Sequence, residues 1–184
     1  MNPRKEFTTI ETVKKEKECK TYEKIRESEN AVRAASTPNH RVLPGQRGQN
    51  NALVVGFVAN VSVDPAMVMI GIMPSRYSHH IVKESGCFVI NFPKKSFKKE
   101  YAYLGSKSGR DGDKFSVLNL KWEDAKYVNA PVLTDCPVSI ECSVVESTMP
   151  GTHELFIGKV ESVNVDEEYI GTDGSILWDK MDLI

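Results

Sequence analysis

From Asn51 onward the apolar positions come in short, dense blocks separated by turn residues. NALVVGFVAN and AMVMIGIM are almost wholly apolar, the composition expected of strands buried on both faces, and VSVDP between them supplies a turn. SRYSHHIVKESG has the spacing of one helix, with Ser75 as N-cap, Ile81 and Val82 facing inward and Gly86 as the stop. CFVINF returns as a strand, and SFKKEYAYLG reads as a second short helix leading into the loop GSKSGRDGDKF. No strong pattern surrounds Trp122. PVSIECSVVES then alternates Val138, Ile140, Cys142 and Val144 against Ser139, Glu141 and Ser143, which predicts one buried and one wet face. After a turn at Met149-Pro150-Gly151, HELFIGKVESVNVD reads as a long strand whose alternation shifts between Val160 and Val163, as at a bulge.

The first 50 residues lack this character. Residues 1–35 are dominated by Lys and Glu, with Val13, Tyr22, Ile25 and Val32 too sparse for an apolar stripe, so they are expected to form an exposed helix or a partly disordered arm. STPNHRVLPGQRGQNN, residues 36–51, reads as a linker or long loop. The chain therefore divides into a charged arm, 1–35, and one domain, 36–184. Five or more strands with few, short helices, joined by short turns as well as by helices, point to a mainly β, antiparallel barrel.

Composition narrows the chemistry. At 184 residues, 40% apolar, the chain has the length of one ordinary domain with a real core. Its 24 basic and 25 acidic residues leave a net charge of −1, so no broad basic face is offered to nucleic acid. Cys19, Cys87, Cys136 and Cys142 form no CxxC pair and have no histidine at zinc-site spacing, so no metal is indicated. Nothing at the N-terminus resembles a signal peptide, and the thiols read as those of a reduced, cytoplasmic protein. The longest apolar runs, 52–59 and 66–73, are too short to span a bilayer.

Two segments could hold an anion. The helix start at residues 75–78 offers unpaired N–H groups and the positive end of a dipole, with Arg76 able to add a bidentate contact and Ser78 a hydroxyl. The plainer reading is a capping Ser75 and a solvated Arg76. In the loop, Lys107, Ser108 and Arg110 around Gly109 allow close approach to an oxyanion, whereas Asp111 and Asp113 would repel one unless they cap a turn or pair with the bases. Neither GxxxxGK[ST] nor GxGxxG is present, and by itself such a loop is more often an ordinary polar turn. His79 and His80 point to different faces of their helix, and His153 opens a strand at the mouth of the barrel.

Taken in order, VSVDPAMVMIGIMPSRYSHHIVKESGCFVINFP, YLGSKSGRDGDKF, APVLTDCPVSIECSVVE and GTHELFIGKVESVNVDE resemble the flavin reductase-like FMN-binding family that includes flavoredoxin. The resemblance runs from about Asn51 to Glu168, and SGRDGDKF and GTHELFIGKVE carry it most specifically. It implies a split β-barrel, usually a homodimer with FMN near the subunit interface. It implies further that Asn60, Ser62 and Val63, in the turn between the two apolar runs, face the isoalloxazine ring. Arg76, Ser78 and His79 match the segment that receives the phosphate, and Lys107 and Ser108 match the loop approaching the same tail. Asn91 matches the asparagine ending the family's FVIN strand, and His153 the histidine near the flavin's reactive face. The family's opening Pro-Val-rich strand has no counterpart in 36–51 beyond Val42-Leu43.

Three functions follow from the resemblance. The leading one is an oxidoreductase that passes a hydride from NADH or NADPH to FMN N5 and electrons onward, with His153 positioning rather than attacking. The second is an FMN electron carrier of the flavoredoxin kind, reduced by a redox protein partner. The third is a split barrel that has lost its flavin. The absence of a recognisable second phosphate site leans slightly toward the carrier.

Overall fold

The computed structural model of the chain describes residues 50–184 and the backbone of two strands nearer the N-terminus, Arg4–Thr8 and Arg33–Thr37. These are β1 and β2. They are followed by β3 (Asn51–Val55), β4 (Phe57–Val63), β5 (Ala66–Ile72), α1 (Tyr77–Ser85), β6 (Cys87–Phe92), α2 (Lys98–Ser106) and α3 (Lys114–Leu118). The remaining strands are β7 (Trp122–Asp124), β8 (Pro131–Leu133), β9 (Val138–Thr148) and β10 (Glu154–Asp166). No described helix is long and apolar enough to cross a membrane.

Among the described residues every strand pairing is antiparallel. The main sheet runs β3-β2-β6-β9-β10-β5-β4, with β1 also paired to β10. The 13-residue β10 organises it. Along one edge it pairs with β9 from Leu155 to Val165; along the other it pairs first with β5, Glu154 opposite Ile72, and then with β1, Ser162 opposite Thr8. The change of neighbour coincides with the register shift between Val160 and Ser162, where the expected bulge is found. Ile70, Ile72, Phe88, Ile90, Phe92, Ile140 and Phe156 fill the interior.

Several expectations are corrected. The segment 51–60 is two strands hinged at Gly56, and β4 pairs only with β5 among the described strands. Phe57, Val61 and Val63 are consequently 55%, 45% and 57% exposed, so an apolar run there does not mean burial on both faces. The alternation of β9 does not leave a wet face either: Ser139 and Glu141 are buried. Residues 125–130 fold over that face, and the Glu141 carboxylate accepts from Tyr127 N (2.8 Å), Lys126 N (3.3 Å) and Asn164 Nδ2 (2.9 Å). β7 and β8, in the stretch without pattern, form the two-stranded sheet bordering this cover.

The described parts of the N-terminal arm are strands and not helix. β2 lies between β3 and β6, and its range, Arg33–Thr37, spans the expected division at residues 35 and 36. The remainder of the arm and linker, including Cys19 and Val42-Leu43, lies outside the described residues.

Candidate functional site

The start of α1 differs from the expected cap. Arg76, in extended backbone (φ −76°, ψ 139°), is the N-cap, and no side chain caps the helix. Ser75 lies one residue before the N-cap, and its backbone carbonyl accepts from the Arg110 guanidinium at 2.9 Å. The first turn thus keeps its N–H groups free of a capping side chain and carries Arg76, exposed, at its mouth. The helix ends as expected: Gly86 adopts φ 67°, and its N–H returns to Val82 O.

The loop after α2 closes against this helix start. Gly109–Asp111 form one 3₁₀ turn with a capping box, Ser108 Oγ accepting from Arg110 N and Asp111 Oδ2 accepting from Ser108 N. Asp113 caps α3, accepting from Phe115 N at 2.9 Å and from Ser116 Oγ at 2.5 Å. Both carboxylates are thereby turned to the loop's own backbone and hydroxyls, the capping role under which acids are compatible with an anion site here. Gly109 is required by proximity: an added Cβ would lie 2.7 Å from Tyr77 Cε1 and 2.9 Å from Asn51 Oδ1. Arg110 also lies over the Tyr77 ring, 5.9 Å from its centroid.

Beneath the loop, Lys114 is buried and donates to Ala52 O (2.8 Å) and Leu104 O (3.2 Å), joining α3 to β3 and the end of α2. Burial, assisted by the charge of Arg76 and opposed by Asp111, lowers its pKa to about 8. Asn51 Nδ2 donates to Ser78 Oγ at 2.5 Å, so Ser78 is a buried support of the helix start.

The structure therefore closes the turn that follows Lys107 and Ser108 against the helix start that carries Arg76 and Ser78, with Arg76 and Lys107 exposed. Asn60, Ser62 and Val63 lie in β4, not in a turn, and Asn60 pairs with Val68. That register is four residues, roughly 13 Å along the strand, from Ile72 where β5 runs toward α1. His153 sits at the β9–β10 turn, with Nδ1 2.9 Å from Thr152 Oγ1 and its ring packed edge-on against Phe57 at 4.6 Å. Asn91 is not with the others: it is fully buried in β6, and its Oδ1 accepts from Leu133 N at 3.0 Å, holding β8.

His79 turns away from the loop. Its Nε2 lies 2.6 Å from Glu154 Oε2, and its ring meets Phe156 edge-on. Lys83 Nζ (3.2 Å) and Ser147 Oγ (2.8 Å) donate to the same carboxylate, so four side chains pin α1 to the β9–β10 pair. Burial opposes ionisation of Glu154, but the hydrogen bonds from Ser147, Lys83 and His79 together outweigh it and hold the carboxyl below its ordinary 4.5. A group with a lowered native pKa stabilises the fold above its ordinary value and loses that contribution as pH falls through the native one. Glu154→Gln is therefore expected to lower Tm at pH 7 by about 3–6 °C, for ~1.5 kcal/mol. The gap should narrow as pH falls below 4.5 and through the lowered native pKa; thermal melts from pH 7 downward check it.

The arrangement suits a phosphate monoester: an uncapped helix start, two exposed cations, and carboxylates turned to internal partners. Sequence reasoning passed over Asn51 and Tyr77, which carry no local signal. It also passed over Glu154, whose signal is present: a charged residue in the inward register of Phe156, Gly158 and Val160.

The family pattern described as "Flavin reductase like domain" matches residues 32–180. An uncharacterized protein of Archaeoglobus fulgidus is 32% identical over 110 residues, which cover 60% of this chain and 62% of that protein. Among solved structures, flavoredoxin from Methanosarcina acetivorans superposes with a TM-score of 0.72 at 27% identity, covering 83% of this chain and 77% of that one. An FMN-binding protein from Thermus thermophilus gives 0.67 at 25% identity, covering 79% and 76%.

Proposed function

Because the chain belongs to the flavin reductase like domain family, we propose that it binds FMN and is an oxidoreductase driven by NADH or NADPH. The observation that carries this reading is the closing of the 109–111 turn on a helix start that no side chain caps, through Arg110 on Ser75 O and Gly109 against Tyr77, with exposed Arg76 and Lys107 flanking the two segments. Arg76, Lys107 and the backbone of 108–110 would hold the phosphate, with Ser78 and Ser108 fixing the two segments from within. β4 residues Asn60, Ser62 and Val63 would flank the ring, and His153, steadied by Phe57, would orient the reactive face. FMN, when bound, supplies acceptance of a hydride and its release as electrons; the protein supplies binding, orientation and electrostatics.

A homodimer belongs to the same reading. Phe57 and Val61 leave apolar surface exposed on edge strand β4, continuous with Val63, which is assigned to the ring, and a second copy would cover it. Among the described residues Cys87, Cys136 and Cys142 are buried and in no disulfide, in keeping with a reducing, cytoplasmic setting. The second reading, an electron carrier without a nicotinamide site, is favoured by the likeness to flavoredoxin.

An absorption spectrum after adding FMN and removing the excess, followed by anaerobic NADH and NADPH, tests the proposal. A flavin band near one per chain that bleaches within seconds is expected. A band that stays until a protein donor is supplied establishes the carrier, and no retained band removes flavin binding altogether.

A further inference from the structure

We propose that Lys114 is the positioning charge of the cofactor loop: it takes up a proton when a phosphate monoester binds above it, and so sets the preference for FMN over riboflavin. The proposal rests on the FMN reading above. Its ground is geometric. Lys114 is 4% exposed and directly follows the loop's last capping residue, Asp113. Its ammonium is clamped between Ala52 O and Leu104 O, which leaves its third N–H without an acceptor among the described residues. Ala52 adjoins Asn51, which holds Ser78 at the helix start, so the β3 backbone that Lys114 clamps is the same that supports the helix wall of the anion site.

The charged groups that face Lys114 are Asp111, from the 3₁₀ turn, and Arg76, from the mouth of α1; β3 and α2 present the carbonyls already named. With the site empty, burial and Arg76 disfavour the ammonium, and it loses its proton above about pH 8. A phosphate beside Arg76 reverses the second of these influences and favours the charged form. Binding above that pH therefore consumes a proton, and affinity falls as pH rises. Below about pH 8 the ammonium is already charged, and affinity should be flat.

Equilibrium titrations of FMN and of riboflavin by flavin fluorescence, from pH 7 to pH 9.5, measure the effect. The phosphate's own second ionisation lies near pH 6, and the shared ring chemistry cancels in the ratio of the two affinities. For the wild type that ratio is expected to be constant near pH 7 and to fall by up to about tenfold per pH unit above pH 8. Lys114→Arg, which cannot lose its proton, should keep the pH 7 ratio and abolish the slope; Lys114→Met should lower the ratio and flatten it. The wild-type profile decides the matter even where a variant fails to fold. A ratio well above one that stays flat to pH 9.5 overturns the role of Lys114 and leaves the phosphate site intact. Equal binding of FMN and riboflavin at every pH overturns the phosphate site itself.

Discussion

Gly158→Ala is expected to lower the melting temperature by about 6–12 °C, the equivalent of ~3 kcal/mol in a chain of this size. Gly158 is paired on both edges, with Val68 of β5 and Val144 of β9, so its backbone has little freedom to retreat. A Cβ there would lie 2.6 Å from Phe88 Cζ, 2.8 Å from Cε1 and 2.9 Å from Cys142 Cβ. Phe88 and Cys142 are themselves fully buried and adjacent across β6 and β9. A close-packed interior offers no void to absorb a methyl group, so the cost goes into strain. Phe88→Leu shortens the ring side of the contact and should recover part of the loss when combined with Gly158→Ala. A double-mutant cycle by thermal or urea unfolding measures this, with a coupling of ~1 kcal/mol or more expected. Additive losses would mean that the strain lies elsewhere.

The second large effect concerns the ligand. Arg76→Ala and Lys107→Ala should each weaken FMN about 10–100-fold, the value of one charge-assisted hydrogen bond at ~1.5–3 kcal/mol. Riboflavin, which lacks the phosphate, should bind both variants within about twofold of the wild type. Both cations are exposed, so the FMN effect should shrink with added salt, unlike a change in packing. Asn91→Ala makes the contrasting control: its amide holds Leu133 N inside the protein, so it should lower Tm without separating FMN from riboflavin. Equal losses of FMN and riboflavin in Arg76→Ala would detach the phosphate from the helix start.

The parts of this arrangement that were legible in the sequence are those with local causes. Gly86 ends α1 because the chain there needs a left-handed residue, and the bulge in β10 is visible as a break in alternation. The capping role of Asp113 follows from a carboxylate standing directly before a short helix, and that of Asp111 from its place three residues after Ser108, as in a capping box. What escaped depended on distant partners. Glu141 was assigned to water because alternation says nothing of residues 125–130, which cross over it. β4 was assigned to the interior because apolar content does not distinguish a core strand from an edge strand. Ser75 reads as a cap from residue type alone, whereas the helix begins one residue later with Arg76 at the N-cap, and the bond from Arg110 to the Ser75 carbonyl comes from 35 positions away. The candidate site shows the same division: the cationic loop was visible as a segment, but its contact with Tyr77 and Asn51 exists only in the fold.

The measurement that tests the central claim most directly is a crystal structure of the protein loaded with FMN. The account predicts the phosphate at the first turn of α1, within about 3 Å of Arg76 and of the loop containing Lys107 and Ser108. The ring should run toward β4 and His153. A phosphate bound away from that loop, with Arg76 and Lys107 still in solvent, would contradict it.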